Sequence, residues 1–158
     1  MNKKLNKIFD ADQANRKFFG TGKIDWITVA KKDKDRRKEV KQFFAKNQIK
    51  TGKDYYNAAM IFQHGTSISH FRKAKQLARK SMGLGHEQAK WLFAATTDRV
   101  LVKEGKKQKY GTQFYKKNKG KWRLYPINKN TTDDERKALN VPIFDKIQQQ
   151  LQKINNLN

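Results

Sequence analysis

A mainly helical chain with a small β-hairpin near 109–127 is the fold class the sequence predicts, and three observations carry it. Apolar residues recur at helical spacing from Leu5 to Leu101. Cap residues such as Asp25, Ser67 or Ser69, and Thr132 precede these stripes, and Gly65, Gly83 and Gly105 follow them. After Gly105 two aromatic-rich runs flank Lys116-Lys-Asn-Lys-Gly120, the pattern of strand, turn and strand. The expectation is a single-domain bundle of about five to seven helices over residues 1–158, with termini frayed at about 1–4 and 153–158.

Each element has its own reason. Leu5, Ile8, Phe9, Phe18 and Phe19 mark a first helix over 3–19 that ends at Gly20-Thr-Gly22. Asp25 caps a second, in which Val29, Ala30, Asp33, Arg37, Val40 and Phe44 share one stripe. Asp33 and Arg37 sit one turn apart there, so an internal ion pair is the simple reading and a carboxylate facing a cavity the sharper one. A third helix over 54–64 shows Tyr56, Ala59, Met60 and Phe62, and Gly65 stops it. The fourth buries Phe71, Ala74, Leu77, Ala78 and Met82, and places Arg72, Lys75 and Arg79 on an outer face. Gly83-Leu-Gly85 separates it from a central helix over 87–104, where Trp91-Leu-Phe-Ala-Ala95 calls for packing on several sides. Tyr110–Tyr115 and Trp122–Ile127 read as the hairpin strands, with Pro126 favouring an edge. Thr132-Asp-Asp-Glu135 is a capping-box pattern for a short helix, and Val141-Pro142 precedes a last one over about 143–153.

Composition narrows the function. The 158 residues are 36% hydrophobic and 11% aromatic, enough for a folded core. No stretch approaches the roughly 20 apolar residues of a membrane span, and the N-terminal segment lacks the apolar run of a secretion signal. A cytoplasmic protein with no membrane partner is expected. Zero cysteines exclude disulfides and thiolate chemistry, and the three histidines His64, His70 and His86 argue against a histidine-rich metal site, so no metal and no cofactor are expected.

Charge is the strongest compositional signal. The 37 Lys+Arg against 14 Asp+Glu give a formal +23, a field that draws in polyanions. No acid lies between Gly105 and Thr132, where Lys106, Lys107, Lys109, Lys116, Lys117, Lys119, Lys121, Arg123 and Lys129 interleave with Tyr110, Phe114, Tyr115, Trp122 and Tyr125. Cations hold phosphates and aromatic rings stack bases, so this segment, with the Arg72/Lys75/Arg79 face, is the candidate polyanion surface. The plainer reading is a hairpin whose aromatics face the core and whose lysines are only solvated.

A polar cluster is the second candidate. The run Asp98 to Gln113 sets an acid, a base and several hydrogen-bonding side chains where an apolar helix ends, and Gln108–Gln113 can fold back over that end. His64, at a helix end, could act as a general base or cap the last carbonyls, and Asp12, Asp33 or Asp98 within reach would orient it. Arg16, Arg99 and Lys109 could clamp an anionic substrate that Gln63, Gln108, Tyr110 and Gln113 orient. A buried polar network that locks the loop to the helices is the structural alternative. P-loop, dinucleotide, nucleophile-elbow and zincin motifs are absent from the sequence.

These residues resemble the signature of a bacterial domain family of unknown function, T-D-R-x-L-x-x-x-G-x-x-Q-x-Y-G-T-Q, matched here by Thr97 to Gln113. Gln63-His64 is similar to that family's Q-H pair, Asp12-Gln13-Ala-Asn-Arg16 to its D-Q-x-x-R element, and Asp33 with Arg36 to its D-x-x-[NR] position. The resemblance implies a mostly helical domain with a polar cluster drawn from several helices, adds Asp12, Gln13, Asp33 and Thr112 as substrate-binding candidates, and brings no substrate. A weaker similarity to tetratricopeptide-like hairpins covers one helix pair, without a repeat.

Three functions are therefore carried forward. The first is binding of nucleic acid, DNA or RNA, or another polyanion. The second is an enzyme of hydrolase or transferase type acting on a small anionic substrate through His64, Asp98, Arg99 and Gln113. A protein-interaction scaffold is the third, and the oligomeric state is open.

Overall fold

Side-chain caps set where the helices begin. In the computed structural model, which describes residues 1–17, 24–118 and 120–156, the Asn2 side chain accepts from Leu5 N at the start of α1 (Lys3–Ala14). Asp25 does the same for Ile27 and Thr28 at α2 (Trp26–Ala45). A Thr51/Asp54 capping box opens α3 (Gly52–Gln63), and Ser67 caps α4 (Ile68–Gly83). Each cap satisfies backbone donors that a helix start leaves without partners. Then come α5 (Ala89–Lys103), the antiparallel pair β1 (Phe114–Lys116) and β2 (Trp122–Leu124), α6 (Asp133–Ala138) behind a Thr132/Glu135 capping box, and α7 (Phe144–Asn156). The chain is thus mainly helical with one small hairpin.

The chain divides into two compact units, Met1–Ala89 and Lys90–Asn158. In the first, α3 and α4 pack closely because Ala58, Ala59, Ala74 and Ala78, all at 0% exposure, keep the contact faces small. Ser81 Oγ donates to Gly52 O at 2.6 Å across that pair. Leu5, Val29, Val40, Phe43, Ile61 and Phe62 complete this core. Asp54 also accepts from Asn2 N at 2.6 Å, so the carboxylate that caps α3 ties down the start of α1. In the second unit Ala94, Tyr110, Val141 and Ile147 form a core against which Leu124 and Leu139 pack.

Several expectations need correction. The first helix stops at Ala14, and Phe18, Phe19, Gly20 and Gly22 lie outside the described residues. On α2 the buried aromatic is Phe43, with Phe44 half-buried and Ala30 exposed. Ser81 takes the buried place expected of Met82. Tyr56 and Met60 are only half-buried, and α3 turns Asn57, Ala58 and Ile61 inward. The apolar run in α5 does pack on several sides, with Leu92, Ala94 and Ala95 buried, and only Trp91 within it is exposed, at 44%. The strands are shorter than the sequence suggests, and before β1 the backbone N–H groups of Lys109, Tyr110 and Thr112 donate to Asp98 instead of to a strand partner. At the two ends, Asn2 caps α1 and α7 reaches Asn156. Asn155 explains the latter: its side chain accepts from Trp122 N at 2.7 Å and donates to Trp122 O at 2.9 Å, acting as a short strand on the open edge of β2.

Candidate functional site

Two polar clusters and one basic hairpin hold most of the residues singled out by the sequence, and Arg72, Lys75 and Arg79 lie apart on α4. The first cluster lies within the first unit. Asp12 of α1, with 0% exposure, accepts from Arg16 Nη1 at 2.7 Å and from Gln13 Nε2 at 2.9 Å, and meets His64 Nδ1 at 3.1 Å. Arg16 also pairs with Asp33 on α2. Arg36 Nη1 lies 3.0 Å from Asp33 and 3.5 Å from Asp12, and its Nη2 donates to Ala11 O and Asn15 Oδ1. Two carboxylates and two guanidiniums therefore alternate, with the imidazole on one edge. Burial pushes the Asp12 carboxyl up, but the His64 hydrogen bond and the charges of His64, Arg16 and Arg36 outweigh it and leave its pKa below the ordinary value.

The ion pair expected between Asp33 and Arg37 is replaced by this arrangement. Arg37 instead donates to the carbonyl of His64 at 3.2 Å, while burial, ahead of the raising effect of Asp33, pulls its pKa down. His64 is the C-cap residue of α3, yet its ring nitrogen goes to Asp12 and not to the last carbonyls. Its side chain is 15% exposed. Gln63 beside it is buried and donates to Met60 Sδ.

The second cluster, in the second unit, is built around Asp98. This residue has 0% exposure and sits on α5, one turn before the helix ends. Its Oδ1 accepts from Lys109 N at 2.7 Å and Tyr110 N at 2.9 Å, and its Oδ2 from Thr112 N at 3.0 Å and Thr112 Oγ1 at 2.8 Å. Gln108, also at 0% exposure, donates to Gln113 O and Tyr125 O and accepts from Gln113 N. Arg99 Nε meets Gln113 Oε1 at 3.2 Å. Gly111 makes the tight turn, because its φ of +89° suits glycine and an added Cβ would come within 3.1 Å of Ile127 and Ile147. The motif thus folds the loop back over the end of α5, and the four hydrogen bonds that the buried Asp98 carboxylate accepts all come from that loop.

Lys109 and Tyr110 have clear local roles. The Lys109 ammonium pairs with Glu135 at 2.8 Å, and that hydrogen bond raises its pKa. Tyr110 is a core residue, and its carbonyl accepts from the buried Arg136.

The basic hairpin is the third feature. Pleating puts Phe114, Lys116, Trp122 and Leu124 on one side, which faces the core through Leu124, and Tyr115 with Arg123 on the other. Tyr125 continues the outer side, its ring centroid 4.7 Å from that of Tyr115. Lys106, Lys107, Lys116, Lys117, Lys121, Arg123 and Lys129 are exposed, and Lys119 lies outside the described residues. Lys116 Nζ sits 5.9 Å from the Trp122 ring centroid, and Lys106 pairs with Glu104 at 2.8 Å. On α4, in the other unit, Arg72 and Arg79 are exposed and Lys75 is half-buried.

Among the described residues, no helix is long and apolar enough to cross a membrane. None brings together three His, Cys, Asp or Glu side chains as a metal-ligand group. Comparison with known protein families, curated proteins and solved structures finds no match.

Proposed function

We propose that the protein binds single-stranded nucleic acid, or a polyanion of similar charge spacing, through the outer side of the hairpin. The observation that carries this reading is the Tyr115–Tyr125 ring pair beside Arg123, set among exposed lysines with no acid from Gly105 to Thr132. Half-buried aromatic rings held by a sheet supply π-faces that bases of any sequence can use, and lysines around them take phosphates. A labelled single-stranded 12-mer titrated by fluorescence anisotropy across a salt series tests it. If about five phosphates are neutralised, log K should fall with log salt at a slope near −3 to −4. A slope shallower than about −2, or equal affinity for a neutral-backbone oligomer, would reject the proposal.

A second reading rests on the Asp12–His64 contact. A buried carboxylate on Nδ1 orients the imidazole as a general base, and Arg16 and Arg36 beside it suit an anionic substrate. In this reading the orienting acid is Asp12, while Asp98 is spent on the loop. Turnover of small phosphate or carboxylate esters that is lost in His64→Ala would support it, and turnover that survives that change would end it.

A further inference from the structure

A cavity of about 380 Å3 in the first unit is lined by Lys41 and Phe44 of α2, Phe62 of α3, and Ser69, His70 and Lys73 of α4. No acidic side chain is among these six residues, so two ammonium groups face the cavity without a carboxylate in its wall. Its floor is aromatic: Phe62 is buried at 3% exposure, its ring 6.4 Å from that of His70, and Phe44 carries Lys73 Nζ 5.1 Å from its ring centroid. His70 Nδ1 is buried against Gly65 and has no hydrogen-bond partner among the described residues. Burial, then the charges of Arg37 and Lys41, hold the His70 pKa down, which marks the positive field at this point of the wall. The first turn of α4, where backbone dipoles add positive potential, supplies Ser69 and His70 to the lining.

We propose that this cavity is a binding site for a small organic phosphate, an anionic head on a flat apolar body. Lys41 and Lys73 meet the head, while the Phe44 and Phe62 rings take the body. The volume lies near the lower end of the range for small-molecule sites, which favours a free ligand over a polymer segment. Inorganic phosphate would leave the rings uncovered, and a neutral aromatic would leave the lysines without a counter-charge. The proposal stands independently of the hairpin, which belongs to the other unit and shares no residue with this wall.

Calorimetric titration of the full chain in moderate salt with phenyl phosphate, inorganic phosphate and phenol tests it. Phenyl phosphate is expected to bind at least about tenfold more tightly than either of the others. In the Lys41→Gln/Lys73→Gln double variant its affinity should drop by about tenfold or more, with the melting temperature little changed, because both lysines are exposed. Lys41→Glu alone, a charge reversal, should weaken it as well. The Lys116→Gln/Lys117→Gln variant should bind phenyl phosphate like the parent, since those residues lie on the hairpin. Equal affinity for inorganic phosphate and phenyl phosphate, undiminished binding in the Lys41/Lys73 variant, or no saturable binding at millimolar ligand would overturn the proposal.

Discussion

Replacing Asp98 with asparagine separates a structural tie from a site residue. The carboxylate accepts four hydrogen bonds, two on each oxygen, at 2.7, 2.9, 3.0 and 2.8 Å, and none of its surface is exposed. Asparagine keeps one oxygen and therefore two of the four bonds. Its amide nitrogen would then face two donors, and only the Thr112 hydroxyl can turn to accept from it. A hydrogen bond to a charged group contributes about 1.5–3 kcal/mol net, and a buried donor left alone costs about 1–3 kcal/mol. The loss should come to about 3–5 kcal/mol. At about 2–4 °C per kcal/mol for a chain of this size, Tm should drop by roughly 10 °C. Urea denaturation of a Trp26→Phe background, followed by the fluorescence of the remaining Trp91 and Trp122, reads this directly, since both belong to the second unit. Asp134→Asn, at an acid whose side chain is 93% exposed, is the control and should stay within about 0.5 kcal/mol. A loss below about 1 kcal/mol in Asp98→Asn would refute the idea that this carboxylate holds the loop.

Four more changes have defined outcomes. Tyr115→Ala/Tyr125→Ala should weaken single-strand binding by about 1–3 kcal/mol for each base that loses its platform, with the salt slope unchanged, as measured by anisotropy. Gly111→Ala should cost about 1–3 kcal/mol by thermal unfolding, because φ is +89° and the new methyl group meets Ile127 and Ile147. Asn155→Ala should cost about 1–2 kcal/mol through two lost bonds to the Trp122 backbone, and hydrogen exchange at that amide should speed up. Acid should act in two stages. His70 and His86 have pKa values lowered from 6.5, chiefly by burial, so the stability they contribute is present above that pH and lost as pH falls through their folded values. For Asp12 and Asp54, lowered from 3.8, the loss comes below that value as the folded carboxylates protonate. Urea midpoints that rise between pH 7 and pH 5 would contradict the first stage.

How far the sequence could be read depended on the range of the interaction. Local signals sufficed for the caps at Asp25 and Thr132 and for the stop at Gly105, whose φ is +72°, and narrowed the α4 cap to Ser67 or Ser69, because each involves residues within one turn. The fold-back of Gln108–Gln113 over α5 was also legible from a buried acid followed by a glycine and a polar run. The short strands were not, since strand propensity is blind to a carboxylate that captures the same N–H groups. Asp33 shows the same limit. Helical spacing pointed to Arg37, but the carboxylate pairs with Arg16 on another helix and with Arg36 one turn on. Arg36 was visible only through the family resemblance. The cavity beside His70 left no sequence signal, because its lysines and rings come from three helices that only packing brings together.

The proposal that the hairpin binds single-stranded nucleic acid is tested most directly by backbone amide shifts in the labelled protein as an unlabelled single-stranded 12-mer is added. Shifts concentrated from Gln113 to Tyr125, saturating together and lost in Tyr115→Ala/Tyr125→Ala, are the expected result. Shifts spread evenly over every lysine-rich surface, or confined to α4, would show that the charge acts without the tyrosine pair and contradict the proposal.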